Sequence, residues 1–451
     1  MHNLAQLIEG GRWQQATEFI ERHLARPELG PSDRNTLEFE RERMRRIRLD
    51  FSWNRSQVFA AAQAILPGLV PTDFDRWERE GAVEFWEIDG ARRYFRRAAG
   101  NLFRIHPEAR KLKETVQPSP GPVSALRRAN IRDLLRETAA SGQPAGAPKT
   151  FRVRYALTVK PGAVPAGELI RAWLPYPRRD GRQHGVRLIA SQPDRHRLSE
   201  PGHPLSSIYL EQPSRGALPT IFEVQFAYST AGCSAVMDPA AVTVSTESRW
   251  LAERPPHLVF DDALRALSRQ IVGTETRPYF VARQLFQWVS ENVTWAGARE
   301  YSTIESLPAY ALRRRQGDCG IQTMLFLALC RLNGIPARWE SGFTTEPNWN
   351  LHDWCVLHFP PYGWVPVDVS YGLLPSGEDR ERWFYFGGLD SYRLVLNRDY
   401  DAELQPPKEF VRSERVDFQR GEVEWRGGNL YFDQWNHRFE HDSIGAEPLW
   451  W

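Results

Sequence analysis

The chain has 451 residues, enough for two to four domains, and its 41% hydrophobic and 25% charged residues are an ordinary globular balance. Its 58 basic and 56 acidic residues leave a net charge of +2, so the overall charge gives no reason to expect a nucleic acid or an anionic membrane as partner. The apolar runs are too short for a membrane span, and we expect none.

Residues 1–113 are predicted to form an N-terminal helical domain with one β-hairpin. Apolar residues recur at helical spacing between Leu4 and Leu24, and further helical patterns follow. Asp89-Gly90 separates two short β-rich runs, which is a strong signal for a two-residue hairpin turn. Helices followed by a hairpin are similar to a winged-helix module.

Basic residues cluster between positions 92 and 113 and raise the alternative of nucleic-acid binding. The acidic residues of 72–88 balance them, so a solvated helix face is the preferred interpretation and we expect no nucleic-acid partner. Docking of a partner protein by the N-terminal domain is the better hypothesis, although no motif identifies that partner.

Residues 114–149 are rich in Pro, Gly, Ser and Ala and predict a linker that a short helix interrupts. From residue 150 the pattern changes, and Phe151, Val153 and Tyr155 alternate with polar residues. Several strand-like runs with turn signals between them predict a β-sandwich-like domain over residues 150–250.

A thiol stands at the start of the most apolar helical segment of the chain. The residues from Ile321 to Leu332 are apolar around nearly the whole helix circumference, which predicts a buried helix. Asp318 is a good N-cap residue. Cys319 is therefore expected in the first turn, where unpaired N–H groups and the helix dipole favour a thiolate and a developing oxyanion.

Two strand-like runs, 352–359 and 363–369, follow this helix and predict a hairpin. Side chains alternate along strands, so His352 and Asp368 share a face only if the connecting loop has an odd number of residues. We predict such a loop, or a bulge that has the same effect. Cysteine catalysis needs a thiol, an imidazole and an orienting carboxylate, and the predicted catalytic residues are Cys319, His352 and Asp368.

The three-part pattern GDCGIQTMLFLALCRLNGIPARWESGF, LHDWCVLHF and YGWVPVDVSYG resembles the transglutaminase-like superfamily, a papain-like group of cysteine enzymes. The resemblance covers roughly residues 280–375 and implies that Cys319 is the nucleophile, His352 the general base and acid, and Asp368 the orienting carboxylate. It departs from the family pattern at Asp353, where a small residue is common after the histidine.

The resemblance implies an α+β fold with a transglutaminase-like (papain-like) catalytic core over residues 251–405. In such a core a central helix that bears the cysteine packs against an antiparallel sheet. A β domain before this core also fits the arrangement of the superfamily. Residues 406–451 are again β-like and are predicted to form a C-terminal β extension that packs on the core.

The remaining cysteines predict neither a metal site nor a disulfide framework. Cys319, Cys330 and Cys355 lack the spacing of zinc ligands, and we expect no metal and no cofactor. Cys330 and Cys355 are interpreted as core residues. Scattered cysteines favour a reducing compartment, and the N-terminus shows no signal-peptide pattern, so we predict a cytoplasmic location.

Three function classes fit these observations. The leading hypothesis is a peptidase or amidase that cleaves amide bonds of a protein or peptide substrate through a Cys319 thioester. The second is a protein-glutamine transglutaminase or deamidase, which uses the same acyl-enzyme. The third is a catalytically inactive binding protein on the same scaffold.

Overall fold

The computed structural model describes residues 2–116 and 124–444. The helices of these residues are α1 (His2–Glu9), α2 (Trp13–Leu24), α3 (Pro31–Asp50), α4 (Arg55–Ile65), α5 (Pro71–Arg79), α6 (Ala98–Ile105), α7 (Pro107–Val116), α8 (Ala125–Ser141), α9 (Asp262–Val272), α10 (Pro278–Asn292), α11 (Leu307–Arg314), α12 (Cys319–Leu332) and α13 (Asp379–Arg382).

The strands are β1 (Phe85–Ile88), β2 (Ala91–Tyr94), β3 (Ala145–Val159), β4 (Leu169–Pro175), β5 (Gln183–Gln192), β6 (His196–Leu198), β7 (Ser207–Pro213), β8 (Thr220–Ser234), β9 (Thr294–Trp295), β10 (Gln316–Gly317), β11 (Ala337–Thr344), β12 (Asn350–Phe359), β13 (Gly363–Val367), β14 (Gly388–Leu389), β15 (Arg393–Asn397), β16 (Glu422–Trp425), β17 (Gly428–Leu430) and β18 (Trp435–Ile444).

The chain divides into two compact units. The first takes in the described residues of Met1–Pro120 together with the segments Thr294–Glu305 and Arg314–Asp318, and the second takes in the rest. The sequence analysis assigned those two segments to the catalytic core. Their grouping with the N-terminal helices could not be foreseen, because it depends on contacts between residues far apart in sequence.

The first unit is a helical cluster with the predicted hairpin. Its core contains Trp13 and Trp77, both fully buried, and Trp13 lies in the segment from Leu4 to Leu24 whose apolar spacing predicted a helix. Strands β1 and β2 pair with Ile88 opposite Ala91, so Asp89-Gly90 forms the two-residue turn. Both turn residues have positive φ, 50° and 80°, which the Asp-Gly pair tolerates well.

The two returning segments are tied to the first unit by polar contacts and a short parallel strand pair. Asn101 Nδ2 donates to the Gly297 carbonyl at 2.8 Å, and Asn101 Oδ1 accepts from the Gly297 N–H at 2.8 Å. Strands β9 and β10 pair in parallel. The Tyr301 hydroxyl donates to Asp318 Oδ1 at 2.7 Å.

The second unit contains the predicted β-sandwich. One sheet has the order β14-β8-β3-β18 with β5 on β8, and the other has the order β17-β16-β4-β7-β6. Along β3, Phe151, Val153 and Tyr155 are buried while Arg152 and Arg154 are exposed, as the alternation predicts. Apolar side chains from both sheets share one hydrophobic core.

The C-terminal region contributes strands to this sandwich. The sequence analysis predicted that 406–451 extends and packs on the catalytic core, whereas β16 pairs with β4 and β18 pairs with β3. Strand β18 is held to β3 over ten residue pairs, from Trp435 opposite Val159 to Ile444 opposite Thr150. Sequence pattern identified strands here but could not indicate their partners, since strand pairing over such a distance leaves no local signal.

The helix predicted inside the linker, α8, is a packed element. It begins after Ser124, whose Oγ accepts from the Arg127 N–H at 3.1 Å, and ends at Gly142 with a φ of 69°. Ile131 and Leu134 are fully buried, and the helix packs on β3 and β8. Of the rest of the predicted linker, residues 114–116 belong to α7, and residues 117–123 lie outside the described part of the chain.

The remaining elements of the second unit form an α+β core. Its antiparallel sheet has the order β13-β12-β11-β15, and α12 packs on β11 and β12. Every residue of α12 from Cys319 to Arg331 is buried, which confirms the prediction of a central helix. Helices α9 and α10 pack on α12 as well. This helix and sheet together position the candidate site.

Candidate active site

Cys319 is the first residue of α12. The apolar sequence that follows buries the helix, so the thiol is fixed at the helix end and keeps 8% of its surface exposed. The first N–H groups of a helix have no intrahelical acceptor, and the helix dipole adds partial positive charge there. This position suits a nucleophile that becomes negative and an oxyanion that forms beside it.

The hairpin of β12 and β13 brings His352 and Asp368 to one face. Phe359 pairs with Gly363, so the connection consists of three residues, an odd number as predicted. The register pairs Cys355 with Val367, and its continuation sets Asp368 opposite residue 354. Because side chains alternate, residues 352, 354 and 368 share that face.

His352 and Asp368 form a buried hydrogen-bonded pair. The distance from His352 Nε2 to Asp368 Oδ2 is 2.7 Å, and the two residues are 5% and 0% exposed. The backbone N–H of Tyr371 donates to Asp368 Oδ1 at 3.2 Å, and Arg393 Nη2 lies 2.8 Å from Asp368 Oδ2. A histidine whose Nε2–H donates to a carboxylate has Nδ1 as its basic nitrogen.

The surroundings set the charge states of this pair. Burial lowers the pKa of His352, and the neighbouring Asp368 only partly offsets this effect, so the neutral imidazole is favoured. Burial alone raises the pKa of the Asp368 carboxyl, but His352, Arg393 and the hydrogen bonds outweigh it and hold that pKa below its usual range. The pair therefore consists of a neutral base and an ionised carboxylate at neutral pH.

Aromatic side chains enclose the imidazole. The ring of Tyr371 lies 4.5 Å from the His352 ring, and the ring of Trp354 lies 6.0 Å away at an interplanar angle of 29°. Trp354 Nε1 donates to Glu340 Oε2 at 2.9 Å, which fixes the indole. The guanidinium of Arg127, from α8, lies 4.3 Å above the Tyr371 ring. These contacts restrict the orientation of His352.

The Cys319 thiol contacts the residue that follows His352. Cys319 Sγ lies 3.2 Å from Asp353 Oδ2, and Gln419 Nε2 donates to the other oxygen, Oδ1, at 2.9 Å. Gln419 Nε2 also lies 3.0 Å from the His352 carbonyl. The sequence analysis noted Asp353 as a departure from the family pattern but did not predict its contact with the thiol.

Several residues around the site were missed from sequence. Arg393 and Asp390 form a buried ion pair at 2.8 Å, and Arg127 Nε lies 3.7 Å from the same Asp390 oxygen. Asp390 and Arg393 are charged residues among apolar or small neighbours, whereas Arg127 is followed by Arg128 and has no such signal. Tyr371 lies within the third matched motif, where an aromatic residue three positions after the carboxylate could have been considered.

The other cysteines behave as predicted for core residues. Burial raises the pKa of the Cys330 thiol and of the Cys355 thiol well above its usual value, and all four cysteines are free. Among residues 2–116 and 124–444, no group of three or more His, Cys, Asp or Glu residues could hold a metal ion. His358 Nδ1 lies 2.7 Å from Ser245 Oγ.

The second donor of an oxyanion hole was not assigned from sequence. Trp295, Tyr301 and Gln316 precede Cys319 in the sequence, and all three belong to the first unit, where Trp295 and Gln316 lie in β9 and β10. In the part of the chain that the structure describes, no helix combines the length and the apolar character that crossing a bilayer requires.

A comparison with protein families matches part of this chain. Residues 265–369 match the sequence model of the transglutaminase-like superfamily. The uncharacterized protein YebA of Bacillus subtilis (strain 168) is 26% identical over 109 residues, a match that spans 21% of this chain and only 14% of YebA.

Two solved structures are similar at low sequence identity. A proposed cysteine protease from Cytophaga hutchinsonii is 15% identical, with a TM-score of 0.45 over 68% of this chain and 95% of its own. The periplasmic domain of TgpA from Pseudomonas aeruginosa is 16% identical, with a TM-score of 0.26 over 51% of this chain and 93% of its own. Through residues 265–369, which hold Cys319, His352 and Asp368, the chain carries a domain of the transglutaminase-like superfamily, a superfamily of cysteine enzymes.

Proposed function

We propose that the protein is a cysteine-nucleophile enzyme that cleaves amide bonds through a thioester acyl-enzyme. Cys319 is the nucleophile, His352 the general base and acid, and Asp368 the carboxylate that orients the imidazole. The observation that carries this proposal is the buried 2.7 Å contact between His352 and Asp368, on the strand that packs on the helix beginning at Cys319.

The charge states support these roles. A base must be unprotonated to accept a proton, and burial keeps the pKa of His352 below its ordinary value. Asp368 stays ionised, so it holds the Nε2–H tautomer and stabilises the imidazolium that forms during the reaction. Nδ1 is then the nitrogen that exchanges protons with the reacting groups.

The first half of the reaction forms the acyl-enzyme. His352 Nδ1 takes the proton of the Cys319 thiol, and the sulfur attacks the carbonyl carbon of the substrate amide. The N–H groups at the start of α12 stabilise the oxyanion. The C–N bond then breaks, and the amine leaves with the proton that His352 held.

The second half resolves the thioester. His352 takes a proton from a water molecule, the resulting hydroxide attacks the thioester carbonyl, and the C–S bond breaks to release a carboxylic acid and the Cys319 thiol. An amine in place of water gives transfer instead of hydrolysis. Transglutaminase and glutamine deamidase chemistry therefore remain alternatives, as does an inactive binding protein on the same scaffold.

We further propose a protein or peptide as substrate, because a cysteine–histidine pair of this kind serves amide chemistry. The N-terminal helical unit is proposed as a docking module for a partner protein. Four free cysteines fit a reducing compartment, and the cytoplasm is proposed as the location.

Thiol reactivity tests whether the protein is an enzyme at all. Iodoacetamide labelling is followed by mass spectrometry in the wild type and in His352→Ala, with half-buried Cys233 as the reference thiol of the same molecule. We expect Cys319 to react faster than Cys233 and to slow when His352 is absent. Equal rates for the two thiols, unchanged in His352→Ala, would support the inactive scaffold.

A peptide library that contains glutamine, incubated with and without a primary amine, then separates the reactions. New N-termini indicate a peptidase, conversion of glutamine to glutamate indicates a deamidase, and incorporation of the amine indicates a transglutaminase. The Cys319→Ala variant is the control, and every product must disappear with it. A product that persists in Cys319→Ala would contradict the assignment of the nucleophile.

A further inference from the structure

Asp353 is a buried acidic residue of β12 that contacts the thiol. It is 2% exposed, and its Oδ2 lies 3.2 Å from Cys319 Sγ. At this distance the thiol donates its proton to the carboxylate, a hydrogen bond from S–H to an acceptor that carries full charge. A buried carboxylate beside a nucleophilic sulfur is unfavourable for the thiolate, because two like charges would face each other.

Strand geometry separates this contact from the His352–Asp368 pair. Neighbouring residues of β12 project to opposite faces, so His352 lies on the face of Asp368 while Asp353 lies on the face of α12. The Thr323 hydroxyl of α12 also reaches the Asp353 carbonyl, at 3.3 Å. The contact of the thiol is thus with the Asp353 carboxylate, and His352 is the preceding residue of the same strand.

Gln419 fixes the carboxylate in place. Its Nε2 donates to Asp353 Oδ1 at 2.9 Å and lies 3.0 Å from the His352 carbonyl, so one amide holds both residues. With Oδ1 engaged by Gln419, Oδ2 is the oxygen directed at Cys319. A side chain that is buried and held at both oxygens has little freedom to turn away.

We propose that Asp353 is a positioning residue that holds Cys319 as a thiol in the resting enzyme, with the thiol proton directed to Asp353 Oδ2. Resting on the proposed function, this inference adds a step before attack: the sulfur must leave the carboxylate and give its proton to His352. The enzyme then differs from one that rests as a thiolate–imidazolium pair. Substrate binding, which brings the carbonyl to the sulfur, supplies the reason for the change.

The other charged groups of the elements around α12 are engaged elsewhere or lie in solvent. Asp318 precedes Cys319 and accepts from the Tyr301 hydroxyl. On α9, Asp262 and Arg269 are exposed. The remaining contacts are Glu340 with Trp354 and Arg182, Arg338 over Trp364, Glu291 with Gln287, Arg283 over Trp383, and Arg265 with the Phe260 carbonyl. Asp353 is therefore the charged group that contacts the thiol.

The test is the rate of Cys319 alkylation by iodoacetamide as a function of pH, in the wild type and in Asp353→Asn. Asparagine keeps the shape and the contact with Gln419 but removes the charge. We expect the midpoint of the profile to move to lower pH by about one unit, which is roughly a tenfold faster reaction below the midpoint. An unmoved midpoint overturns the inference.

Asp261→Asn is the matched control. It removes one negative charge from the N-cap of α9, which packs on the same α12, and asparagine caps helices as well as aspartate does. We expect its alkylation profile to coincide with that of the wild type. A shift as large as that of Asp353→Asn would mean that net charge, and not the contact with the thiol, controls the reaction.

A measurement on the wild type covers the case in which Asp353→Asn does not fold. The infrared difference spectrum of wild type minus Cys319→Ala at neutral pH contains an S–H stretching band only if Cys319 rests as a thiol. We expect that band, shifted from those of buried Cys330 and Cys355 by the charged acceptor. Absence of a Cys319 S–H band overturns the inference.

These outcomes are separable from failure of the proposed function. If His352→Ala slows the alkylation of Cys319 while the pH profile of Asp353→Asn equals that of the wild type, the proposed function is supported and the inference about Asp353 fails. If Asp353→Asn moves the profile but no amide substrate is turned over and His352→Ala has no effect, the contact is real and the proposed function fails.

Discussion

Arg393 binds the same carboxylate oxygen that accepts the hydrogen bond from His352: its Nη2 lies 2.8 Å from Asp368 Oδ2. The same nitrogen lies 2.8 Å from Asp390 Oδ2. All three charged side chains are almost completely buried, so one guanidinium pairs with two carboxylates away from water. The charge balance that keeps Asp368 ionised therefore depends on a residue outside the matched motifs.

Replacement of Arg393 by methionine, which is long and uncharged, should destabilise the protein by about 3–5 kcal/mol, because the buried carboxylates of Asp368 and Asp390 would lose the guanidinium that they share. Urea unfolding followed by tryptophan fluorescence measures the loss. Arg393→Lys keeps the charge but not the planar fork, and its loss should be smaller.

The control for this prediction is Arg415→Met. Arg415 forms a single ion pair with Asp401 at 2.7 Å, and its side chain is 58% exposed. Exposed ion pairs contribute little, so the change in unfolding free energy should stay below about 1 kcal/mol. Equal effects at positions 393 and 415 would contradict the role of the buried network.

The acid limb of the activity profile should lie below pH 6.5, the ordinary pKa of histidine, because burial lowers the pKa of His352 and only its neutral form accepts a proton. Asp368 raises that pKa, so Asp368→Asn should move the limb to still lower pH. It should also reduce kcat by about 10²–10⁴-fold, since the imidazolium loses its stabilising charge. The measurement is kcat/KM against pH on the amide substrate identified by the library.

Asp399→Asn serves as the control, because Asp399 pairs with Arg254 at 2.7 Å and has no contact with His352. Its profile should keep the wild-type limb. A limb above pH 6.5 in the wild type, or a limb that moves upward in Asp368→Asn, would contradict the assignment of His352 as the base.

His257 should make stability depend on pH between about 4 and 6.5. Burial lowers the pKa of His257 to about 4, whereas in the unfolded chain it is near 6.5. Between these values the unfolded chain binds a proton that the native protein excludes, so stability is fully present above pH 6.5 and is lost as the pH falls. By pH 5 this single residue should have lowered the free energy of unfolding by about 2 kcal/mol.

His257→Gln does not titrate and isolates that contribution. Between pH 7.5 and pH 5 the wild type should lose about 2 kcal/mol more unfolding free energy than His257→Gln loses. Urea unfolding at the two pH values measures it. Parallel pH dependences of the two proteins would show that His257 is not protected from protonation.

Gly342→Ala should disrupt the sheet behind the site. Gly342 pairs with His352 across β11 and β12, and a Cβ added at position 342 would overlap the backbone carbonyl oxygen of Leu394 in β15. Neither backbone can move without breaking the strand pairing, so a loss of about 3 kcal/mol is expected. Gly377→Ala, in a loop with open space around the Cα, should change stability by less than 1 kcal/mol. Equal stabilities of the two variants in urea would contradict this prediction.

The local parts of the site were predictable from sequence. The apolar segment that begins at Cys319 predicts a buried helix, and two runs of β-rich residues predict the hairpin of β12 and β13. Whether His352 and Asp368 share a face depended on the number of residues in the connecting loop. The structure supplied that number, the three residues between Phe359 and Gly363. Each of these inferences uses residues within about twenty positions of one another.

The non-local parts were not predictable. Arg127 reaches the site from a region that composition marks as a linker, and Gln419 reaches it from the C-terminal region. Both depend on how strands and helices far apart in sequence pack, and a lone arginine or glutamine in a sequence gives no indication of its partner. The grouping of Thr294–Glu305 with the N-terminal helices was missed for the same reason.

The three-residue connection from Pro360 to Tyr362 has an evolutionary consequence. Gain or loss of a single amino acid there would turn Asp368 to the opposite side of its strand, unless a bulge restored the parity. Insertions of two residues would be tolerated far better. Among related proteins, those with an odd number of residues between the two strands should thus keep an intact Cys-His-Asp triad, and those with an even number should have lost it.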